Sequence, residues 1–415
     1  MRVNDRQMLF PGRFLVSLTK GAVRSGFALL LAGLLTASMA WSQGNQGTLE
    51  GTVVDQSGAG VPDAKLTVTN NATGIKFRTS SDSSGLFTIP VLPVGTYTVE
   101  VEHAGFGKLT QKNLTLTVGA QLSLSLTLTL AGQVAAVTVT GETPILEATR
   151  SQVSSTVNDT AIENLPTNGR NFINFVLLTP GVTLDVRGGD ISFAGQRGTL
   201  NSLIVDGSDN NNTFFGQSVG RTGSGRAPYQ FSEDAVQEFQ VNSNAYSAEL
   251  GHAGGAVINV VTKSGTNDFH GAGFEFYRDQ SLNANDPINI INKRPKSPYH
   301  FNQFGGDIGG PIRRDKMFFF FDYDGQRNTL PNLVFLGVAP PANPSANQQA
   351  ALTYLEARVG SWTRTQNQNV YLGKVDWRVK DNADRHSQTH SQRNAGRSPL
   401  SASLALDIRV TTNPA

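Results

Sequence analysis

The chain has 415 residues, with 34 Lys and Arg against 32 Asp and Glu, 43 Gly, 18 Pro and no Cys. At roughly 100–200 residues per domain the length allows about two to four domains, and the abundance of Gly, Pro, Ser, Thr and Asn is the turn-rich economy of a β protein. The missing cysteine excludes a disulfide framework, a Cys-ligated metal site and thiol chemistry.

The first segment reads as an export signal. Arg2, Arg6, Arg13, Lys20 and Arg24 form a positive n-region ahead of the apolar stretch Gly26–Leu35, and the small residues Ser38 and Ala40 follow. That order predicts a signal peptide over 1–40, cut after Ala40. A membrane anchor is the competing reading, but the apolar run is short against the ~20 residues a spanning helix needs. Those 40 residues hold five of the 34 basic and one of the 32 acidic groups, which leaves 29 against 31. The remaining chain carries no basic patch that would suggest nucleic acid.

Residues 47–131 predict a β-sandwich. "TLEGTVVD", "AKLTVTN", "GIKFRTS", "GLFTIPVL" and "GTYTVEVE" place β-branched or aromatic residues between turn formers, the spacing of short strands in a sandwich. Alternation then runs on through Leu114, Leu116, Val118, Ala120, Leu122, Leu124, Leu126, Leu128 and Leu130, which predicts one buried face and one wet face. The stretch from "GTVVDQSGAGVPDAKLTVTN" to "GTYTVEVEHAGF" resembles the carboxypeptidase regulatory-like domain, a small prealbumin-like sandwich. The resemblance is to an accessory module and not to a peptidase. None of the six histidines is followed by Glu three or four residues later, so no His–Glu zinc spacing is present.

Residues 132–145 read as a small-residue linker. Within it Val137, Thr138, Val139 and Thr140 form a strongly β-prone segment ahead of Gly141. Two readings stay open: one more sandwich strand or plain linker, or an extended peptide that pairs with the sheet edge of a partner.

Residues 146–264 change character. "DTAIENLP" predicts a capped helix with Ile162 and Leu165 on one face, and "GRNFINFVLLTPGV" puts Phe172, Phe175, Val176 and Leu178 at helical spacing. "SLIVDG" reads as a buried strand entering a polar turn, and Ser232 as an N-cap before a helical turn that leads into a strand. "AVINVVTK" is a further buried strand, reached through Gly251, Gly254 and Gly255, which permit a tight turn.

Nucleotide and metal chemistry find no foothold here. Lys263-Ser264 follows Thr262 rather than glycine, so the phosphate-loop pattern fails. "GSGRAP" (223–228) and "GAGFEF" (271–276) lack the third glycine of a dinucleotide fingerprint. His252 and His270 have no organised carboxylate partner, and the spacing of Asp206, Asp209, Asp322 and Asp324 excludes an EF-hand. No cofactor and no catalytic constellation is legible.

The order of these segments carries a second resemblance. "LPTNGRNFINFVLLTPGV", "FAGQRGTLNSLIVDG", "DAVQEFQVNSNAYSAELGHAGGAVINVVTKSG" and "FHGAGFEFYRD" resemble the plug and first barrel strand of TonB-dependent outer-membrane receptors, closest to the Oar-like subgroup that carries the regulatory-like sandwich before the plug. The resemblance implies a plug over 146–264 and outer-membrane β-barrel strands over 265–380. It implies contact with outer-membrane lipid, a TonB-type periplasmic energising protein, and passage of a bulky solute, carbohydrate or peptide. By position, Val137–Thr140 is similar to the TonB box.

The barrel stretch can be read by period. Met317, Phe319, Phe321 and Tyr323 oppose Lys316, Asp322 and Asp324, with Phe318 and Phe320 among the latter. Tyr371, Val375, Trp377 and Val379 oppose Lys374, Asp376 and Arg378, while Ala272, Phe274 and Phe276 oppose Glu275. Apolar-out, polar-in alternation with aromatics is the pattern of a membrane barrel strand. Strands are expected near 269–278, 301–312, 316–327 and 369–379, few against the ~22 of a plugged transporter barrel. Alternation fails after Lys380, so 381–415 reads as a divergent or out-of-frame tail and the chain as a truncated member. The expected fold is mainly β: sandwich, α+β plug, then the first strands of an incomplete barrel. The alternative is a secreted or periplasmic sandwich that binds carbohydrate or protein without transporting anything; an enzyme is not expected.

Overall fold

The computed structural model describes residues 46–131, 136–139, 153–167, 170–184, 191–211, 232–246, 250, 253–291, 293–334, 341–378 and 401–407. The expected signal peptide lies outside them. Among the described residues no helix is long and apolar enough to cross a membrane.

Seven strands build the sandwich: β1 (Gln46–Val54), β2 (Lys65–Asn70), β3 (Lys76–Ser80), β4 (Leu86–Pro93), β5 (Gly95–Glu102), β6 (Lys108–Leu116) and β7 (Gln121–Thr127). An eighth, β8 (Ala136–Val139), joins one edge. One sheet runs β4-β1-β7 and the other β3-β2-β5-β6-β8. The period-two pattern puts Leu49, Val53, Leu66, Val68, Val99, Val101, Leu122 and Leu124 between the layers, each almost fully buried. Every such side chain contributes about 1.5–3 kcal/mol by leaving water.

The long alternating run from Leu114 is two strands and not one. β6 ends at Leu116 and β7 begins at Gln121 in the opposite sheet, β7 running parallel to β1. Alternation survives the crossing because both sheets turn an inner face to the same core. Leu114 to Leu128 are buried as the pattern expects, but Leu130 is exposed. Val118 is buried yet stands outside the sandwich core; it sits at the crossing turn between β6 and β7.

The central unit follows: β9 (Val153–Val157), the helix α1 (Asp159–Asn164), a 3-10 turn over Phe172–Leu178, the hairpin β10 (Val182–Leu184) and β11 (Ile191–Phe193), then β12 (Ser202–Val205), β13 (Ser208–Asp209), β14 (Val236–Asn244) and β15 (Val257–Thr262). Its sheet has the order β13-β12-β15-β14-β9, with β12 and β15 parallel. β15 is buried at every position, which fits its unbroken β-branched run. Asn158 caps α1 by accepting from the Ala161 N–H, and Ser232 caps the 3-10 turn Glu233–Ala235 by accepting from the Asp234 N–H. Ile162, Phe172, Phe175 and Val176 enter the core as expected; Leu165 and Leu178 do not, because each lies where its helical turn ends and the chain swings outward. At Gly255 a Cβ would stand 2.4 Å from Asn201 Oδ1, so only glycine permits that approach; Gly251 lies outside the described residues.

A five-stranded antiparallel meander completes the structure: β16 (His270–Asp279), β17 (His300–Arg313), β18 (Met317–Val334), β19 (Gly360–Arg378) and β20 (Ser401–Asp407). Between β16 and β17 lies α2 (Pro287–Ile291), and between β18 and β19 the helix α3 (Ala346–Glu356), with a Ser345–Gln348 capping box. Among the described strands the sheet ends at β16 on one side and β20 on the other. β18 and β19 are 18 and 19 residues long, well beyond the roughly 9–11 that cross a bilayer. The added residues, "NTLPNLV" of β18 and "GSWTRTQNQ" of β19, break the apolar-out alternation while the ladder continues. β20 lies within the stretch expected to have lost its alternation. "SASLALD" does alternate over three apolar positions, Ala402, Leu404 and Leu406, a signal too short to stand out among the flanking polar residues.

Candidate functional site

The segment singled out as partner-binding, Val137–Thr140, falls on β8 for its first three residues; Thr140 lies outside the described residues. β8 pairs parallel with β6, in the register Lys108–Ala136, Leu109–Val137, Thr110–Thr138 and Gln111–Val139. Its backbone adds a strand to the edge of the sandwich sheet. High β-propensity and an open sheet edge on β6 suffice to place it there.

The sandwich is fastened to the rest of the molecule at two places. At the first, the crossing turn between β6 and β7 lies on β14: the Val118 N–H donates to Glu238 Oε1, and Gln240 Nε2 donates to Val118 O at 2.9 Å. Gly119 has φ +66°, and a Cβ there would stand 2.8 Å from Gln240 Oε1. Burial pushes the Glu238 carboxyl up to about 7, against the pull of the Val118 N–H and with the help of the Asp159 charge. At the second, the Asn267 N–H donates to Ala72 O at 3.0 Å, while Asn267 and Asp315 bond each other twice, Nδ2 to Oδ1 at 2.7 Å and the Asp315 N–H to Oδ1 at 2.9 Å. Arg378 Nη2 donates to Lys76 O at 2.8 Å and its guanidinium stands 5.2 Å from the centre of the Phe77 ring. Asp315 closes the β17–β18 turn and Arg378 ends β19, so this contact lies on one rim of the meander.

The two faces of the meander differ in chemistry. Phe320 and Leu372 pack into the hydrophobic core of the central unit, which makes theirs the inner face. Gln303, Asp322, Asp324, Gln326, Gln368 and Lys374 share that face and are buried beneath the central unit. The outer face carries Ile308, Ile312, Phe321, Val375 and Trp377, all markedly exposed. Tyr323 and Tyr371 stack on this face at 4.9 Å, with Phe304 edge-on to Tyr323 at 6.1 Å. On β18 and β19 the alternation is therefore the one expected. On β16 it is reversed: Phe274 and Phe276 face inward, each under the Arg170 guanidinium at 4.8 and 4.3 Å, and Glu275 is exposed on the other side. The cause is local, since Arg170 of the central unit, paired with Asp234, offers these rings a cation.

Sequence reading passed over the residue that joins the central unit to the meander. Asp206, which the sequence places where the strand "SLIVDG" enters its polar turn, is a left-handed residue with φ +46°. Its carboxylate accepts from the Thr262 N–H at 3.0 Å and from the Thr262 hydroxyl. Lys374, nearly buried on β19, stands 3.7 Å from the same carboxylate and donates to Thr262 O and Oγ1, each at 3.3 Å. The only sequence signal was a lone lysine at an inward position of β19. Glu233 is a further buried acid of the central unit: desolvation raises its carboxyl, while the Thr167 hydroxyl, donating at 2.9 Å, and the Arg170 charge lower it. Among the described residues no group of His, Asp or Glu could hold a metal ion; His252 lies outside them.

Comparisons with known proteins agree with this layout. Residues 48–129 match the carboxypeptidase regulatory-like domain, and residues 261–355 match the outer membrane beta barrel domain. The chain thus joins a regulatory-like sandwich to outer-membrane barrel strands, and its location is the outer membrane. It is a homologue of the TonB-dependent transporter Oar of Myxococcus xanthus, with 27% identity over 312 residues, 72% of this chain and 28% of that protein. The chain therefore spans less than a third of that relative's length. Among solved structures it is similar to the siderophore receptor PirA from Acinetobacter baumannii (19% identity, 57% of this chain, 31% of that one, TM-score 0.37). It is also similar to the outer membrane transporter YddB from Escherichia coli (16% identity, 55% and 31%, TM-score 0.38). These relatives are transporters and receptors, not enzymes.

Proposed function

We propose that this chain supplies the sandwich, the plug and the first barrel strands of a TonB-dependent outer-membrane transporter, which admits or exports a bulky solute, carbohydrate or peptide in chemistry. One observation carries the reading: a central α/β unit is buried against the polar inner face of a meander whose outer face is aromatic and exposed. A soluble sandwich would have no reason to turn Phe321, Val375 and Trp377 outward while burying Asp322, Asp324 and Lys374. In lipid that distribution is favourable, because apolar side chains meet hydrocarbon and the polar ones meet the plug. In this reading residues 1–40 are the export signal, 146–264 the plug, and 132–145 the linker. Val137–Thr140 is the short segment that a TonB-type periplasmic protein engages by strand pairing. The protein moves its solute without making or breaking a covalent bond.

Fractionation of the native host, with an antibody against the sandwich, tests this. The expected result is a band in the outer-membrane fraction that leaves it only with detergent. A band released with the soluble periplasm would overturn the membrane assignment and favour a secreted binding module.

A further inference from the structure

The outer face of the meander ends at the rim that carries the sandwich, and its chemistry changes there within one residue. The register between β17 and β18 shifts between Pro311 and Arg313, so that Ile312 and Arg313 together stand opposite Met317, the arrangement by which a β-bulge re-aims a side chain. Met317 pairs in turn with Trp377. Arg313, Met317 and Trp377 therefore form one row across three strands, and directly opposed residues of an antiparallel pair share a face. Ile312 and Trp377 are exposed on that face, and exposed Arg313 ends the row. Arg314 follows at once, also exposed. The one acid of this turn, Asp315, is engaged elsewhere, its carboxylate accepting from Asn267 Nδ2 at 2.7 Å.

The sandwich brings a second pair of cations to the same rim. Arg378, next after Trp377, holds the start of β3 by its bond to Lys76 O, and Lys76 and Arg78 lie on the exposed side of that strand. Among the described residues none of Lys76, Arg78, Arg313 and Arg314 forms an ion pair. The sandwich as a whole is not basic, since residues 46–131 hold five Lys and Arg against six Asp and Glu; the excess at this corner is local. Basic residues on an edge strand discourage pairing with other sheets. That accounts for Lys76 and Arg78 but not for two arginines in a turn at the end of an apolar face.

We propose that this corner binds the phosphate headgroups of anionic phospholipid in the leaflet on the sandwich side. Arg313 and Arg314 meet them at the lipid boundary, and Lys76 and Arg78 extend the surface onto the sandwich. The proposal rests on the reading of the meander as membrane strands. Headgroup phosphates lie just outside the hydrocarbon, at the level where tryptophan rings sit and where arginine lays its stem on apolar surface with its charge in water. A guanidinium matches phosphate oxygens with paired N–H bonds. A zwitterionic headgroup carries its own cation beside the phosphate, so the preference falls on lipid with net negative charge. Each basic residue near an anionic surface contributes about a fivefold gain in binding, which salt weakens.

Trp377 stands two strand spacings, about 10 Å, from Arg313 and reports on the lipid beside it. The full chain carrying Trp41→Phe and Trp362→Phe is reconstituted in phosphatidylcholine vesicles, in which brominated phosphatidylglycerol or brominated phosphatidylcholine replaces a rising fraction of the lipid. Brominated phosphatidylglycerol should reach half-quenching at about one-fifth, or less, of the fraction that brominated phosphatidylcholine needs. The two curves should converge at about 0.5 M salt. Replacing both arginines, Arg313→Gln with Arg314→Gln, should abolish the preference, and Lys76→Gln with Arg78→Gln should reduce it at least about twofold. Equal quenching by the two lipids at low salt overturns the anionic-lipid site and leaves the membrane-strand reading standing. Quenching by neither lipid overturns that reading and the proposal with it. A preference that survives high salt or the loss of both arginines also overturns the site, and one indifferent to Lys76 and Arg78 overturns the sandwich's share in it.

Discussion

The sandwich and the meander are built on the same period-two alternation and turn it in opposite directions. In the sandwich the apolar positions Val99, Leu122 and Leu124 point at another sheet and the polar ones at water. In the meander the apolar positions Phe321, Val375 and Trp377 point away from the molecule, and Asp322, Asp324 and Lys374 point into it. Alternation states that the two faces of a strand differ; it does not state which face is inside. The neighbour decides, and β16 shows how locally it does so. There one arginine of the central unit draws Phe274 and Phe276 inward against the trend of the strands beside them.

The largest effect is expected where the two regions' neighbour, the central unit, is tied to the meander. Lys374→Met leaves the largely buried Asp206 side chain, 12% exposed, without its cation. Breaking a buried pair from one side costs about 3–5 kcal/mol. Limited proteolysis of the reconstituted protein should show cleavage within 202–262 that the parent resists. Asp206→Asn in the same chain should restore much of the resistance, and no change in either variant would mean the pair does not hold the plug.

A matched pair of substitutions sharpens the contrast of faces. Leu124→Ala opens a cavity in the sandwich core and should cost about 2–5 kcal/mol in any medium. Phe321→Arg should cost about 2–4 kcal/mol near the bilayer midplane, and that cost should vanish when unfolding is followed in the absence of lipid or detergent. Equal behaviour of the two variants across media would erase the distinction drawn between the regions.

The contact between sandwich and central unit should depend on pH. Glu238 has its carboxyl raised from an ordinary 4.5 to about 7, mainly by burial. The raised value means the buried state holds the proton more tightly. Its contribution to stability is thus fully present below pH ~4.5, declines as pH rises toward about 7, and is gone above it, a change of roughly 3 kcal/mol at most. Glu238→Gln should flatten that decline in a thermal-melt series from pH 4 to 8. A parent that is equally stable across the range would contradict the assignment.

The smallest effect belongs to the inverted strand. Removing the ring in Phe276→Ala should weaken the Arg170 contact by about 0.5–2 kcal/mol. In a double-mutant cycle with Arg170→Ala the two losses should be less than additive, and strict additivity would mean the stacking carries no energy.

Much of this architecture could be read from the chain because its strands are short, β-branched and punctuated by turn formers. The boundaries of β17 and β19's membrane portion, the capped turn at Ser232 and the buried run of β15 all followed from local pattern. What escaped reading depends on distant partners. Asp206 looked like one more turn residue because Thr262 and Lys374, which use its carboxylate, lie 56 residues and further along the chain. Gly74 and Gly119 carry no signal of their own in the sequence. Each is needed where the sandwich meets another unit, with a Cβ at Gly74 only 2.2 Å from Asp315 Oδ1. The strand β8 was legible as β-prone, with one more sandwich strand among its readings, but nothing in its four residues names β6 as its neighbour.

The outer face of the meander is the feature on which the account stands, and Trp377 reports on it directly. The chain has three tryptophans; replacing Trp41 and Trp362 with Phe leaves Trp377, half-exposed on the outer face of β19, as the sole emitter. In reconstituted vesicles its fluorescence should be quenched by brominated lipid and left unchanged by aqueous iodide. Quenching by iodide with no response to brominated lipid would place that face in water and contradict the membrane-strand account.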